Sequence, residues 1–533
     1  MPPKRDEWLT TGQQETIRRW IDSGAHPHLL SKHHNEGRLT EADFPSAKQC
    51  AACHPKQYAE WSRSMHAYAQ HSPITEAFNL TLVEKTSGTI GTFCTRCHTP
   101  VGTALGEPGT MRNVHRSRIS MEGVTCIVCH RRKSGRYKAS GRVRVEPGKL
   151  MDTCIFGPFD DAVQMEGTHP TRGLPYIKSA QFCGECHDVT SPGGIRLEEA
   201  FSEWQNSPAA KSGITCQQCH MGPVQGVPIP DLQRPLGRAA VVPGVDPEKI
   251  PLRRLSDHTF AGPDYSLLPD TEFPHKLDWM YEKDYTQTSR LTPHEQRSLQ
   301  RLRRSNREHL RIADAKRYEL LRNAAEIKVS HPTTATAGGH IDVVVSVFSK
   351  VAGHSIPTGF TAERQLWVSI EVRDPQERLV FASGDLDSNF DLRDDHSHDV
   401  VTGKIRYDRH LMNLQSKFIA LTNKGTERPV VVSVNRHLAP LNILRPATGI
   451  PASFGRGHGF RIAKGSLPPL ATRTKKYPVR FPNCEGVYAI DVRLNFRHLP
   501  PTLLDHVGVP NLKPQLEIVV IDSYSGVIHV GPK

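Results

Sequence analysis

The chain has no run of about 18 apolar residues, so it contains no segment that reads as a membrane-spanning helix. Its opening, Met1-Pro-Pro-Lys-Arg-Asp-Glu7, has no apolar stretch and is not a secretory signal. Aromatic residues are few, at 7%, and the apolar fraction is only 37%. The polypeptide is therefore poor in core-forming material for 533 residues. Acidic residues are outnumbered, 55 against 68 Lys and Arg, which leaves a formal charge of +13. No basic motif interleaved with aromatics accompanies that charge, so a nucleic-acid partner is not expected.

Cysteine, by contrast, is concentrated. Cys50-Ala-Ala-Cys53-His54, Cys94-Thr-Arg-Cys97-His98, Cys126-Ile-Val-Cys129-His130, Cys183-Gly-Glu-Cys186-His187 and Cys216-Gln-Gln-Cys219-His220 all have the form CxxCH. They use ten of the twelve cysteines. CxxCH is the attachment signature of c-type haem: two thiols add to the two vinyl groups, and the adjacent His becomes an axial ligand of iron. Five haem c groups are thus expected, which would supply the apolar bulk the composition lacks. Their propionates would also take up much of the Lys/Arg excess as counter-charge.

Haem c is attached outside the cytoplasm, so a periplasmic or extracellular location is expected. The export signal is then either removed or encoded upstream, the sequence starting within a longer reading frame. Thr11-Gly-Gln-Gln14 reads as a helix start, with Ile17, Trp20 and Ile21 as its apolar stripe and Gly24 as its stop. This run resembles the closing helix of small single-haem cytochrome c domains, and an ordinary amphipathic helix is the alternative.

The pattern predicts an α+β multidomain protein. Residues 1–44 form a helix and linker, and residues 45–262 a loop-rich, mainly helical pentahaem domain. Residues 263–325 hold a linker and a long basic helix. That helix starts at the capping box Thr292-Pro-His-Glu295 and runs to about Asn323. Leu299, Leu302, Leu310, Leu320 and Leu321 form its partial apolar stripe. Arg297, Arg301, Arg303, Arg304, Arg307 and Arg311 lie on its other face, which is solvated or meets propionates or an acidic partner. From 326 to 533 the apolar period becomes two. Ile341/Val343/Val345/Val347, Leu366/Val368/Ile370/Val372 and Tyr488/Ile490/Val492/Leu494 predict an antiparallel β-sandwich.

Each CxxCH supplies one axial histidine: His54, His98, His130, His187 and His220. The opposite position decides function, because a second His or a Met closes the iron and an open iron can bind substrate. Nine other histidines lie in the first 262 residues. His66, His115, His169 and His258 are the leading second ligands, with His33, His34 and His71 in reserve. His354, in the Gly/Pro-bracketed loop "AGHSIPTGF", either reaches iron across a domain interface or is a turn histidine. Met65, Met121 and Met221 are thioether alternatives. Cys154 and Cys484 read as unpaired thiols, a disulfide being the alternative.

A weak repeat is visible. Glu60-Trp61-Ser-Arg-Ser64 parallels Glu203-Trp204-Gln-Asn-Ser207, and Gly123-Val-Thr-Cys126 parallels Gly213-Ile-Thr-Cys216.

"CAACHPKQYAEWSRSMHAYAQ", followed in order by "FCTRCH", "GVTCIVCH" and "QFCGECH", resembles the multihaem cytochromes related to cytochrome c-554 over about residues 46–220. "GITCQQCHMG" is an added fifth motif. The resemblance implies electron relay through closely packed, mostly bis-His haems in the periplasm, and implies His66 as a second ligand. "GHSIPTGFTAERQLWVSIEVRD" resembles a β-domain found behind haem domains in multihaem proteins. The leading expectation is an electron carrier with redox-protein donor and acceptor, other multihaem cytochromes among them. The alternatives are an oxidoreductase with one open haem acting on a small nitrogen or sulfur compound, and a conducting subunit of a homo-oligomer, filament or surface complex.

Overall fold

A computed structural model of the chain describes residues 10–22, 39–85, 88, 90–132, 139–141, 143–191, 196–268, 278–281, 283, 287–361, 363–421, 427–430 and 460–533. His33 and His34 lie outside the described residues. The opening helix spans Thr11–Asp22.

The segment bearing the CxxCH motifs is built from short helices and turns with little sheet. Its strands pair two by two: β1 (Ile155–Gly157) with β2 (Thr171–Gly173), β3 (Val189–Thr190) with β4 (Arg196–Glu198), and β5 (Leu236–Arg238) with β6 (Leu252–Arg254). Apolar clusters here are small. One gathers Phe44, Val101, Leu105, Ile119, Ile127 and Val128, and another Ala47, Trp61 and Ala67.

The repeat seen in the sequence is a repeat in space. The Trp61 indole donates to the Val124 carbonyl at 2.8 Å, and the Trp204 indole donates to the Ile214 carbonyl at 2.8 Å. Ser64 caps the turn Met65–Tyr68 by accepting from the Ala67 amide, as Ser207 caps Pro208–Lys211 by accepting from Ala210. Gly123 and Gly213 both have φ in the left-handed region, +64° and +71°. In the first unit the Val124 amide bonds the His66 carbonyl at 2.9 Å, and a Cβ on Gly123 would meet that oxygen at 2.6 Å. Only glycine admits both the positive φ and the close approach.

The long helix runs Pro293–Arg322, with Thr292 and Glu295 forming the reciprocal capping box and Asn323 ending it. Leu299, Leu310 and Leu321 are buried, whereas Arg297, Arg301, Arg304, Arg307 and Arg311 are exposed. It braces two parts of the molecule. Toward the CxxCH segment, Leu310 packs on Tyr68 and Met65, and Lys316 bonds Asp257 and Thr259. Toward the C-terminal strands, Arg317 and Tyr318 bond Glu517.

The C-terminal part holds two sheets over one core. β7 (Ala325–Ser330), β9 (His340–Ser349) and β16 (Thr472–Arg480) form one, in the order β16-β9-β7. β8 (Thr334–Thr336), β10 (Gln365–Arg373), β11 (Leu379–Ser383), β17 (Gly486–Arg497) and β18 (Val519–Gly531) form the other, in the order β11-β10-β17-β18-β8, with β12 (Met412–Asn413) also paired to β10. The three alternating runs are β9, β10 and β17, and their apolar members share one buried cluster with Tyr477, Val479, Ile528 and Val530. Pairing is antiparallel except β8 with β18, which is parallel. A third sheet joins β13 (Lys417–Leu421), β14 (Glu427–Val430) and β15 (Phe460–Ala463). Among the described residues no helix is long and apolar enough to cross a membrane.

Candidate haem sites

Each CxxCH occupies about one helical turn. The amides of His54, His98 and His187 bond the carbonyl four residues back, at Cys50, Cys94 and Cys183, and Cys126–His130 and Cys216–His220 are helices. Residues three and four apart lie on one helix face, so this turn aims two thiols and an imidazole the same way.

Four of the five motif imidazoles face a second imidazole. His54 faces His169 with ring centres 6.3 Å apart, and His130 faces His258 at 6.4 Å. His187 faces His66 at 6.1 Å, and His220 faces His354 at 6.2 Å. With metal–nitrogen bonds of about 2.0 Å and roughly 1.1 Å from nitrogen to ring centre, one iron between two imidazoles separates their centres by about 6.2 Å. Imidazoles in direct van der Waals contact would be closer or edge-on. The spacing therefore fits an iron held between each pair, with the thiols of the same motif free to attach the porphyrin.

The other ring nitrogen is engaged. Nδ1 of His54, His98, His130 and His220 contacts the carbonyl oxygens of Ala239 (2.7 Å), Ala69 (3.1 Å), Phe156 (2.7 Å) and Ala261 (2.9 Å). His187 differs, its Nδ1 meeting the Glu198 carboxylate at 2.9 Å. Among the facing rings, Nδ1 of His258 and His354 contacts the carbonyls of Ser256 and Ser355, and that of His169 contacts the Thr171 hydroxyl at 3.1 Å. A bond at Nδ1 fixes the tautomer that leaves Nε2 for metal. Burial lowers His66 to about 3 and His130 and His220 to about 4, which keeps these rings neutral, the form that ligates. Burial also opposes charge on His187, but Glu198 prevails and moves that ring upward.

Thiols of different motifs come together. The side chains of Cys50 and Cys126, of Cys183 and Cys216, and of Cys97 and Cys186 lie close enough to perturb one another's titration. The first two contacts are the same contact in the two repeat units: first cysteine to first cysteine, motif one to three and motif four to five. Cys129 of motif three lies within electrostatic reach of Cys183 and Cys186. Porphyrins attached through these sulfurs would be close neighbours. Motif four thus neighbours motifs two, three and five.

His66, His169, His258 and His354 are therefore each placed opposite a motif histidine. His354 is brought there by a clamp that sequence reading missed. Glu203 accepts from the Ser355 amide (3.1 Å) and the Thr358 hydroxyl (2.7 Å), and the Ala209 amide bonds the Ala352 carbonyl. Phe260, also missed, stands edge-on to both His66 (4.5 Å) and His258 (5.6 Å). His115 is not brought to a motif histidine among the described residues. It is exposed on the turn Asn113–His115, whose Asn113 is tied to Gln70 and Glu76. Its place between two motifs suggested a ligand, but the turn is anchored by its asparagine and leaves the imidazole in solvent. Among the described residues, no ring faces His98 at the ligand spacing. Met65 instead packs against Tyr68 and Leu310, and Met121 is buried. Cys154 and Cys484 are unpaired, each thiol contacting the next residue's carbonyl.

Residues 49–131, which hold the first three motifs, match the family model described as cytochrome c554 and c-prime. No curated protein matches the sequence. Among solved structures, the chain is similar to a penta-haem cytochrome c552 from Thermochromatium tepidum, at 16% identity, over 91% of this chain and 99% of that one, with a TM-score of 0.52. At that identity the likeness is one of fold.

Proposed function

We propose that this chain is an electron-transfer cytochrome carrying five covalently attached haem c groups. The observation that carries the reading is the set of four imidazole pairs at 6.1–6.4 Å, each with one member in a CxxCH. In this reading His54/His169, His130/His258, His187/His66 and His220/His354 each close one iron, and His98 supplies one ligand of the remaining one. Haem iron bound in this way supplies one-electron exchange between Fe(III) and Fe(II). The chain's own contribution is to saturate four irons against exogenous ligands. The thiol contacts support a compact, branched wire that joins motif one to three, three to four, and four to both two and five.

Haem c attachment implies export, so the protein acts in the periplasm or outside the cell. Its donor and acceptor are redox proteins. The exposed arginines of the long helix favour an acidic partner, because complementary charge raises the encounter rate. Leu310, on the opposite side of that helix, touches the turn that carries His66.

The experiment is electron paramagnetic resonance of the oxidised holoprotein, with haem stoichiometry from intact mass. Five haems with at least four low-spin signals are expected. Fewer than five haems, or two or more high-spin irons, would overturn the assignment. A second reading, an oxidoreductase with one open haem, is favoured among the described residues at the motif of His98. Carbon monoxide added to the reduced protein decides between them: binding at one haem in five supports the open site, and no binding supports a pure carrier.

A further inference from the structure

We infer that Glu198 is a tuning residue that holds the fourth-motif haem at a lower reduction potential than its neighbours, at the junction of the wire. This rests on the electron-carrier reading above. Among the motif histidines, His187 has a carboxylate at Nδ1, whereas His54, His98, His130 and His220 have backbone carbonyls. The contrast is sharpest with His54, which occupies the equivalent place in the first repeat unit and bonds the Ala239 carbonyl.

The physical effect has a definite sign. An anionic acceptor strengthens the imidazole as a donor to iron, and its negative charge favours the more positive Fe(III) form. The pair is partly open to water, with 24% of the Glu198 side chain and 50% of the His187 side chain exposed, so solvent screens the charge in part. Arg364 is a competing charge, acting on both Glu198 and His187, but its guanidinium is hydrogen-bonded to Asp264 at 2.6 Å. Glu198 sits on β4, held by pairing of Glu198 with Val189, two residues from His187. The pairing therefore brings the Glu198 backbone alongside His187, with its carboxylate within reach of the ring.

The location gives the effect its consequence. Motif four adjoins motif two at Cys186 and Cys97 and motif five at Cys183 and Cys216, and lies within electrostatic reach of Cys129 of motif three. Electrons passing between the first repeat unit and the β-domain side cross this haem. Each crossing moves one electron from an Fe(II) to an Fe(III), with no bond made or broken. A low-potential junction makes residence there brief and separates the two ends into distinct reservoirs.

The test is spectroelectrochemical titration of the full-length holoprotein, E198Q and E198D, with H66M marking the fourth haem by its altered spectrum. In E198Q one of five midpoint potentials is expected to rise while four stay within replicate error. E198D, which keeps the charge, should fall between parent and E198Q. The haem that moves should be the one altered in H66M. Unchanged potentials in E198Q, or movement of a different haem, would overturn the inference. Where E198Q does not load five haems, E198N carries the same decision. Failure of the carrier reading itself would show in the parent protein, as missing haems or missing low-spin signals, before any variant is made.

Discussion

His220 and His354, 134 residues apart in sequence, face each other nearly parallel, with ring centres 6.2 Å apart and an interplanar angle of 16°. One lies in the last CxxCH and the other in a loop between β9 and β10. The C-terminal part therefore places a histidine opposite the last CxxCH.

Replacing His354 by Ala should leave five haems attached, because Cys216, Cys219 and His220 are intact. About one fifth of the low-spin signal is expected to convert to high-spin, and the reduced variant should bind carbon monoxide at that additional haem. Electron paramagnetic resonance and the carbon monoxide difference spectrum measure both. An unchanged low-spin signal would remove His354 from the ligand set.

Gly123 to Ala places a methyl 2.6 Å from the His66 carbonyl at a φ of +64°. A loss of about 1–3 kcal/mol is expected from backbone strain and the displaced Val124–His66 bond. Gly213 to Ala has no such close neighbour and should cost less, about 1 kcal/mol. Denaturant melts of the holoproteins compare the two. Equal losses would mean that the contact at His66 is not what selects glycine.

The two tryptophans test the repeat. Trp61 and Trp204 changed to Phe each leave a carbonyl without its indole donor, at a cost of roughly 1–3 kcal/mol. Similar losses are expected, since both bonds measure 2.8 Å. A large loss in one and none in the other would show that only one unit relies on the bond.

Asp391 gives the C-terminal sheets a pH dependence. Burial raises its carboxyl to about 6, despite bonds from the Thr502 amide and the Asn389 side chain. Its unfolded value is about 3.9, so the folded state binds the extra proton. Stability from this group is full below about pH 4 and is lost as pH rises through about 6, by on the order of 2–3 kcal/mol. Asp391 to Asn should abolish that part of the slope. Melting of the sheet infrared band between pH 4 and 7 checks it, and an identical slope in the variant would refute it.

Much was legible from local pattern. The long helix begins at Thr292 and ends at Asn323 because a capping box is a four-residue signal. β9, β10 and β17 follow from alternation, since one face of each is buried. The repeat was visible as two short likenesses, but its meaning lay in bonds of Trp61 to Val124 and Trp204 to Ile214, which join residues 63 and 10 apart.

Second ligands were legible only as a shortlist. His66, His115, His169 and His258 stand out in the sequence as histidines beside or between the CxxCH motifs, and His354 as one in a Gly/Pro-bracketed loop. Nothing local separates them: Asn113 anchors one turn so that His115 meets solvent, and Glu203 anchors another loop so that His354 meets His220. Glu198 gave no signal at all, because a carboxylate eleven residues from a motif histidine is ordinary until β3 and β4 pair.

The sequence alone determined what covalent spacing determines: five CxxCH turns, each placing two thiols and an imidazole on one face. Tertiary structure decided which imidazole stands opposite which, which motifs adjoin, and which ligand receives a negative charge. A proximal ligand is set by residues one to four positions apart. A facing ligand is set by packing between segments that lie from about 115 to 134 residues apart in these pairs.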